Sequence, residues 1–262
     1  MLKFITKNWK KNSSEERRLI ILRQYFASCV EDLDSFVQTG CISLDKLLGG
    51  GFPTESISLI YGEAETGKTS LSIQCVVNCA RRGYKSLFID TDGTFSYERL
   101  SQIAEYDYEE ISPLIIIIRP TTFQDQSNAI DQLEKVINNK FGLIVIDTLT
   151  SLYRVELNEP NETFAANREL NRQLAVLTHI AKTCKVAVLV NSQVRSVPNG
   201  ERTEMKPVAT RVQNYWSDVM MNMKQTGQTR IIQMVREKHP KIKGKGAIYV
   251  NITNSGITDS RH

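Results

Sequence analysis

The chain has 262 residues, of which 41% are hydrophobic and 24% charged, with a formal net charge of +4. That length suits one large α/β domain with an appendage, whose core buries enough apolar area to stand without disulfide staples. Five cysteines, Cys29, Cys41, Cys75, Cys79 and Cys184, make an odd number without metal-like Cys/His spacing, which argues against a disulfide scaffold and for a reduced, cytoplasmic setting. No apolar run is long enough to cross a bilayer, and the N-terminus lacks the apolar stretch of a secretory signal.

Taken from the N-terminus, residues 1–38 read as a basic helical extension. Lys3, Lys7, Lys10, Lys11, Arg17, Arg18 and Arg23 face only Glu15 and Glu16, an excess larger than the net charge of the whole chain. Such an arm adds attraction to nucleic acid. Leu19, Ile20, Leu22, Tyr25 and Phe26 give the same helix an apolar side, so a solvated helix packed on the core is the competing reading. The core is expected over 39–262.

Ile57 to Tyr61 is a strand-like apolar run, followed at once by GEAETGKT. In this segment Gly62 and Gly67 allow a tight turn around Glu63, Ala64, Glu65 and Thr66, with backbone N–H groups turned inward. Ser70 then opens a helix to Arg81. Those N–H groups and the positive helix end attract phosphate oxygens. Lys68 belongs on the β- and γ-phosphates and the Thr69 hydroxyl on Mg2+. Cys75 and Cys79 sit four apart on this helix, a packing position more often than a redox or metal site.

Further along, Ser86 to Asp90, Leu114 to Ile118, Leu143 to Asp147 and Val186 to Asn191 read as strands. They alternate with helices at Tyr97 to Tyr106, Phe123 to Asn138 and Glu162 to Thr183, the signature of βαβ units and a mainly parallel sheet. Leu143 to Asp147 ends in a carboxylate placed to hold the Mg2+ shell. Leu170, Leu174, Leu177 and Ala181 recur at helical spacing and predict a stripe that covers one sheet face. After Asn191 the alternation stops. Arg195 to Arg211 has no pattern and reads as a mobile loop. Ser217 to Met223, Thr229 to Arg236 and Ala247 to Ile252 read as strands of an antiparallel extension.

Two basic stretches suit a phosphate backbone. The first holds Arg195, Arg202, Lys206 and Arg211; the second holds Lys238, Lys241, Lys243 and Lys245, with Arg236 before them. Clustered cations of this kind give salt-dependent nucleic-acid binding, and a charged hairpin facing solvent is the plain alternative. Arg154 to Arg168 carries Glu156, Glu159 and Glu162 and is a poorer phosphate binder.

The string TGCISLDKLLGGGF from Thr39 to Phe52, the phosphate loop, FIDTDGTFSYERL from Phe88 to Leu100, LIVID and VLVNSQV from Val188 to Val194 stand in an order that resembles the archaeal and eukaryotic RecA-like recombinases. The likeness is greatest to the short archaeal RadA paralogues, the RadB-like proteins, and runs from about Phe36 to Asp259. It implies a RecA-like phosphate-loop ATPase core with ATP and Mg2+ as ligands, acting on DNA, single strands favoured, in recombination and repair. It also implies that Arg99 stacks on adenine, that Gln193 senses the γ-phosphate, and that the residue at Asp92 orients or deprotonates the attacking water. Active members carry Glu there. Asp is one methylene shorter, so weak, DNA-dependent hydrolysis is expected.

Active recombinases of this kind also carry an N-terminal helix-hairpin-helix lobe and a Phe-x-x-Ala plug. Neither is visible before Thr39, so a monomer, a small oligomer or an accessory to the main RadA-type recombinase is expected rather than a stable filament. A non-catalytic ATP-binding adaptor is the alternative. A KaiC-like regulatory ATPase shares the opening motif, but such cores usually place adjacent carboxylates where Gly93 and Thr94 follow Asp92.

Overall fold

The apolar runs read as strands lie side by side in a computed structural model that describes residues 35–157, 160–199 and 202–260. Most of the basic extension, residues 1–34, and with it Cys29, lies outside the described residues. In chain order the elements are β1 (Phe36–Val37), α1 (Ile42–Leu48), β2 (Phe52–Pro53), β3 (Ile57–Gly62), α2 (Lys68–Arg81), β4 (Lys85–Asp90), α3 (Tyr97–Ala104), α4 (Tyr108–Ile111), β5 (Ile115–Ile118), α5 (Phe123–Val136) and β6 (Phe141–Asp147). There follow α6 (Ser151–Val155), α7 (Pro160–Cys184), β7 (Ala187–Ser192), β8 (Val194–Asn199), β9 (Arg202–Pro207), α8 (Thr210–Trp216), β10 (Val219–Gln225), β11 (Ile231–Lys238), β12 (Gly246–Thr253) and β13 (Gly256–Asp259).

Nine strands form one sheet in the order β13-β12-β11-β10-β3-β7-β6-β4-β5. From β10 to β5 every neighbouring pair is parallel, and β11, β12 and β13 extend the β10 edge antiparallel. Strands buried on both faces need apolar residues throughout, and β3, β6 and β7 are buried at every position. Alternation along β3 sends Ile60 into a core shared with Leu44 and Leu48 of α1, Leu71 and Val76 of α2, and Leu100 of α3. Leu59 goes to the opposite core with Ile130 and Leu133 of α5 and with α7. The predicted α7 stripe is there: Leu170, Leu174, Leu177 and Ala181 are all buried. Each of the leucines contributes about 1.5–3 kcal/mol by leaving water. Cys41, Cys75 and Cys79 are buried free thiols, and burial raises the Cys79 pKa to about 11, so Cys79 is an inert core residue.

The TGCISLDKLLGGGF segment forms a capped turn and helix on the first core. Asp45 accepts from the Thr39 N–H and hydroxyl, each at 2.8 Å, and from the Gly40 N–H at 3.2 Å. Asp259, at the far end of the chain, accepts the Ser43 N–H at 2.8 Å and so holds the start of α1. Buried Gln74 of α2 ties both together, donating to Thr39 O and Ile257 O and accepting from Ile257 N. This keeps β13 beside the helix that follows the phosphate loop.

Three predicted elements differ. The helix expected to reach Tyr106 stops at Ala104, because Glu105 adopts φ 54° in the left-handed region and a 3-10 turn follows. Val194 to Pro207 is an antiparallel hairpin, β8 with β9, and α8 follows it, where an unpatterned mobile stretch was expected. The first strand of the C-terminal group, β10, joins the parallel core beside β3 instead of the antiparallel extension. The seat of β10 has no local signal, since its partner β3 lies far along the chain.

Candidate functional site

Open α/β sheets bind ligands outside the carboxyl ends of their strands. Here the order β3-β7-β6-β4 sets Gly62, Ser192, Asp147 and Asp90 in one row, with Tyr61 opposite Ser192 and Asp90 opposite Asp147 in register. The phosphate loop leaves β3 through Gly62, where an added Cβ would stand 2.1 Å from the Met223 carbonyl oxygen. Only glycine fits so close to a neighbouring backbone. Gly67 caps α2 at φ 87°, left-handed backbone that a side chain would strain. Across the loop, the Thr66 hydroxyl donates to Glu63 O at 2.9 Å, and Lys68 Nζ donates to Gly62 O at 3.0 Å and Glu63 O at 2.6 Å. Burial lowers the Lys68 pKa, opposed by the nearby charges of Asp147, Asp92 and Glu63. Its ammonium therefore faces the loop interior with carboxylates around it.

Asp147 closes this interior from β6. Burial raises its pKa from 3.8 to about 6, the Asp92 charge adds to the rise, and the neighbouring Thr69 hydroxyl, Asn191 amide and Lys68 charge offset part of it. Asp147 Oδ2 and Asn191 Oδ1 are both buried without a hydrogen-bond partner. Two unpaired buried acceptors beside a lysine and a threonine hydroxyl are oxygen ligands of the kind that a hard divalent cation or its water shell takes. The residues present fit a nucleotide's phosphates with a divalent cation.

Asp92 and Gln193, assigned from sequence as hydrolytic carboxylate and γ-phosphate sensor, are 101 residues apart and in contact. Gln193 Nε2 donates to Asp92 Oδ2 at 3.3 Å, and the Thr148 hydroxyl donates to the same oxygen at 3.4 Å. Both bonds are long. Two residues that sequence reasoning did not single out complete the arrangement. Asp90, 1% exposed, accepts Thr94 N at 3.0 Å and Phe95 N at 3.3 Å and pairs with Arg119 Nε at 3.1 Å. It fixes the backbone that carries Asp92. Arg154 of α6 donates through Nη1 to Gln193 Oε1 at 2.6 Å. FIDTDGTF holds two carboxylates, and the one at the buried strand end was the signal for Asp90; nothing local marks Arg154.

Arg99 reaches the same end of the sheet. Its guanidinium donates to Ser70 Oγ at 3.2 Å, Thr253 O at 2.7 Å and Asn254 O at 2.8 Å, linking α3 to the start of α2 and to the β12–β13 turn. N–H donation uses the edge of the guanidinium plane and leaves its faces for stacking.

The basic residues divide. Arg195, Arg211, Lys241, Lys243 and Lys245 are exposed, and Lys206 is half-buried. The side chain of Arg202 lies outside the described residues. Lys238 donates to Asn214 O at 3.1 Å and to Ser217 O, at the C-terminal end of α8, a position that favours cations. Arg236 is buried and donates to Leu47 O and to Gly244 O at 3.3 Å, so it ties the β11–β12 connection to α1 rather than facing a ligand. A cleft of about 580 Å3 opens beside the loop, lined by Tyr61, Glu63, Lys206, Asn222, Glu237 and Lys245 among others. It lies on the β10 side of the loop, and Lys68, Thr69 and Asp147 do not line it. Among the described residues no helix is long and apolar enough to cross a membrane, and no His/Cys/Asp/Glu group is arranged to hold a metal by itself.

Residues 35–260 match the family model described as Rad51. The chain is 36% identical over 226 residues to the DNA repair and recombination protein RadB of Thermococcus onnurineus, covering 85% of this chain and 97% of that one. It is 33% identical over 189 residues to the protein of the same name from Methanococcoides burtonii, covering 72% and 83%. A solved structure described as the RadB recombinase superposes with a TM-score of 0.74 at 34% identity, over 86% of this chain and all of that one.

Proposed function

Since the chain belongs to the Rad51 family, we propose that it is an ATP- and DNA-binding RadA paralogue that assists homologous recombination and DNA repair, with weak Mg2+-dependent ATP hydrolysis. The observation that carries the reading is the contact of Asp92 with Gln193 at the row of strand ends where Lys68 and Asp147 meet. A phosphate cradle, a buried carboxylate and a second carboxylate tied to a polar sensor are the parts that phosphoryl transfer to water needs. The family match sets aside the KaiC-like alternative.

In this reading the inward N–H groups from Gly62 to Lys68 bind the phosphates, and Lys68 exchanges its bonds to Gly62 O and Glu63 O for phosphate oxygens. Thr69 and Asp147 hold Mg2+, which neutralises charge on the phosphates when bound. Arg99 offers a guanidinium face to the adenine. Asp92 orients the attacking water and accepts its proton, and its long bonds to Gln193 and Thr148 suit a carboxylate one methylene too short for its place. Exposed cations at Arg195, Arg211, Lys241, Lys243 and Lys245 supply the DNA phosphate contacts, with Lys206 and Arg202 beside them and Lys238 at their edge. The protein acts as a monomer or small oligomer, alone or beside the main recombinase, and residues 1–38 add a basic arm to the core at 39–262.

Steady-state ATP hydrolysis with and without single-stranded DNA tests this, with Lys68→Ala as the control. Weak turnover that DNA raises and Lys68→Ala abolishes is the expected result. ATP binding without any turnover would overturn the hydrolytic reading and leave a nucleotide-gated adaptor.

A further inference from the structure

We propose that His239 is a positioning residue that shapes the lysine-bearing connection between β11 and β12 for a DNA backbone, acting as a neutral hydrogen-bond acceptor and not as a cation on the DNA. This rests on the reading of that connection as a DNA surface and goes beyond it by assigning what orders its lysines.

The ring stands at the root of the connection. Its Nδ1 accepts from Lys241 N and from Ile242 N, each at 3.1 Å. A ring nitrogen that accepts two backbone N–H groups carries a lone pair and no proton, so the ring is the neutral tautomer with its proton on Nε2. Nε2 is buried. Burial lowers the pKa of the ring, the charges of Arg236 and Lys241 add to the fall, and the Leu48 backbone opposes them. A second proton would turn Nδ1 into a donor aimed at two donors. The arrangement is the histidine counterpart of the turns that Asn and Asp make when their side chains bond the backbone a few residues on.

The rest of the connection is fastened with its lysines outward. Arg236 Nη2 donates to Gly244 O at 3.3 Å, and Lys241 Nζ lies 5.9 Å from the centre of the Phe36 ring. Ile242 lies against the end of α1, its Cδ1 3.1 Å from where a Cβ on Gly49 would stand. Lys241, Lys243 and Lys245 are exposed, whereas Ile242 is half-buried. Three like charges on one short connection repel each other, so holding them in place costs free energy before any DNA arrives. A phosphate backbone that meets them already ordered loses less on binding. His239 adds no charge to this surface, because the lone pair of Nδ1 is spent on the backbone.

Two readouts test this in the full chain at neutral pH: fluorescence anisotropy of a labelled single-stranded oligonucleotide across a salt series, and amide hydrogen exchange by NMR. Asparagine carries Oδ1 on the same Cγ position where histidine carries Nδ1, whereas the glutamine oxygen lies one bond farther out. His239→Asn should therefore bind DNA like wild type and keep the Lys241 and Ile242 amides protected. His239→Ala and His239→Gln should bind about fivefold more weakly, the order of one net hydrogen bond recovered on binding, with faster exchange at both amides. Their slope of log affinity against log salt should not change. That slope counts the phosphates neutralised, so it separates a lost position from a lost charge. A merely structural role would move the urea midpoint without rescue of DNA affinity by asparagine.

His239→Asn as weak as His239→Ala, or a slope that falls by about 0.7 in His239→Ala, would make the ring a DNA contact and overturn the positioning role. Equal exchange at Lys241 and Ile242 in wild type and all three variants would overturn it too. DNA binding by wild type that every variant matches would overturn this role alone, whereas flat anisotropy with wild type would sink the DNA-binding reading and this role together.

Discussion

Asp147→Asn should make the protein more stable at neutral pH while removing its response to Mg2+ and ATP. The carboxylate is buried, its pKa is raised from 3.8 to about 6, and one of its oxygens is without a hydrogen bond. A carboxyl group whose folded pKa exceeds the unfolded value contributes stability that is present in full below pH 3.8 and lost as the pH rises through 6. By linkage the loss amounts to about 3 kcal/mol at pH 7.5 and about 1 kcal/mol at pH 4.5. Asparagine never ionises, so it carries no such penalty. Equilibrium urea unfolding followed by circular dichroism, at the two pH values and without nucleotide, should show the variant ahead by roughly these amounts. With Mg2+ and ATP the wild type should gain stability and the variant should not. A variant no more stable than wild type at pH 7.5, or a gap that fails to shrink on acidification, would refute the claim that the protein compensates this buried charge only in part.

Asp92→Glu should raise turnover by on the order of 10²-fold, because it restores the missing methylene, and a kcat equal to that of wild type would count against the short carboxylate as the cause of slow hydrolysis. Gly62→Ala places a Cβ 2.1 Å from Met223 O, so urea unfolding should show a loss of more than about 3 kcal/mol; a well-folded variant of wild-type stability would mean the loop and β10 separate easily. Lys241→Ala and Lys243→Ala should each reduce the slope of log affinity against log salt by about 0.7 for single-stranded DNA, read by fluorescence anisotropy. An unchanged slope would remove them from the DNA surface.

Much of the site was legible because its signals are local. GEAETGKT needs only its own glycines, lysine and threonine, and LIVID shows a buried strand that ends in a carboxylate. The α7 stripe follows from helical spacing, since an apolar face must meet a sheet for the helix to be stable. Local pattern thus reached the segment from Gly62 to Thr69, the strand ends and the α/β class. Which strand ends became neighbours depended on the folded sheet. The order β3-β7-β6-β4 brought Gln193 to Asp92 and Arg154 to Gln193, and the parallel seat of β10 beside β3 made glycine necessary at position 62. It also separated cations of identical sequence character, turning Arg236 into a buried tie between α1 and the β11–β12 connection while Lys241 and Lys243 stayed in solvent. The physical reason is that periodicity and turn chemistry act over a few residues, whereas a hydrogen bond between side chains 101 residues apart exists only once burial of both sheet faces has fixed the strand order.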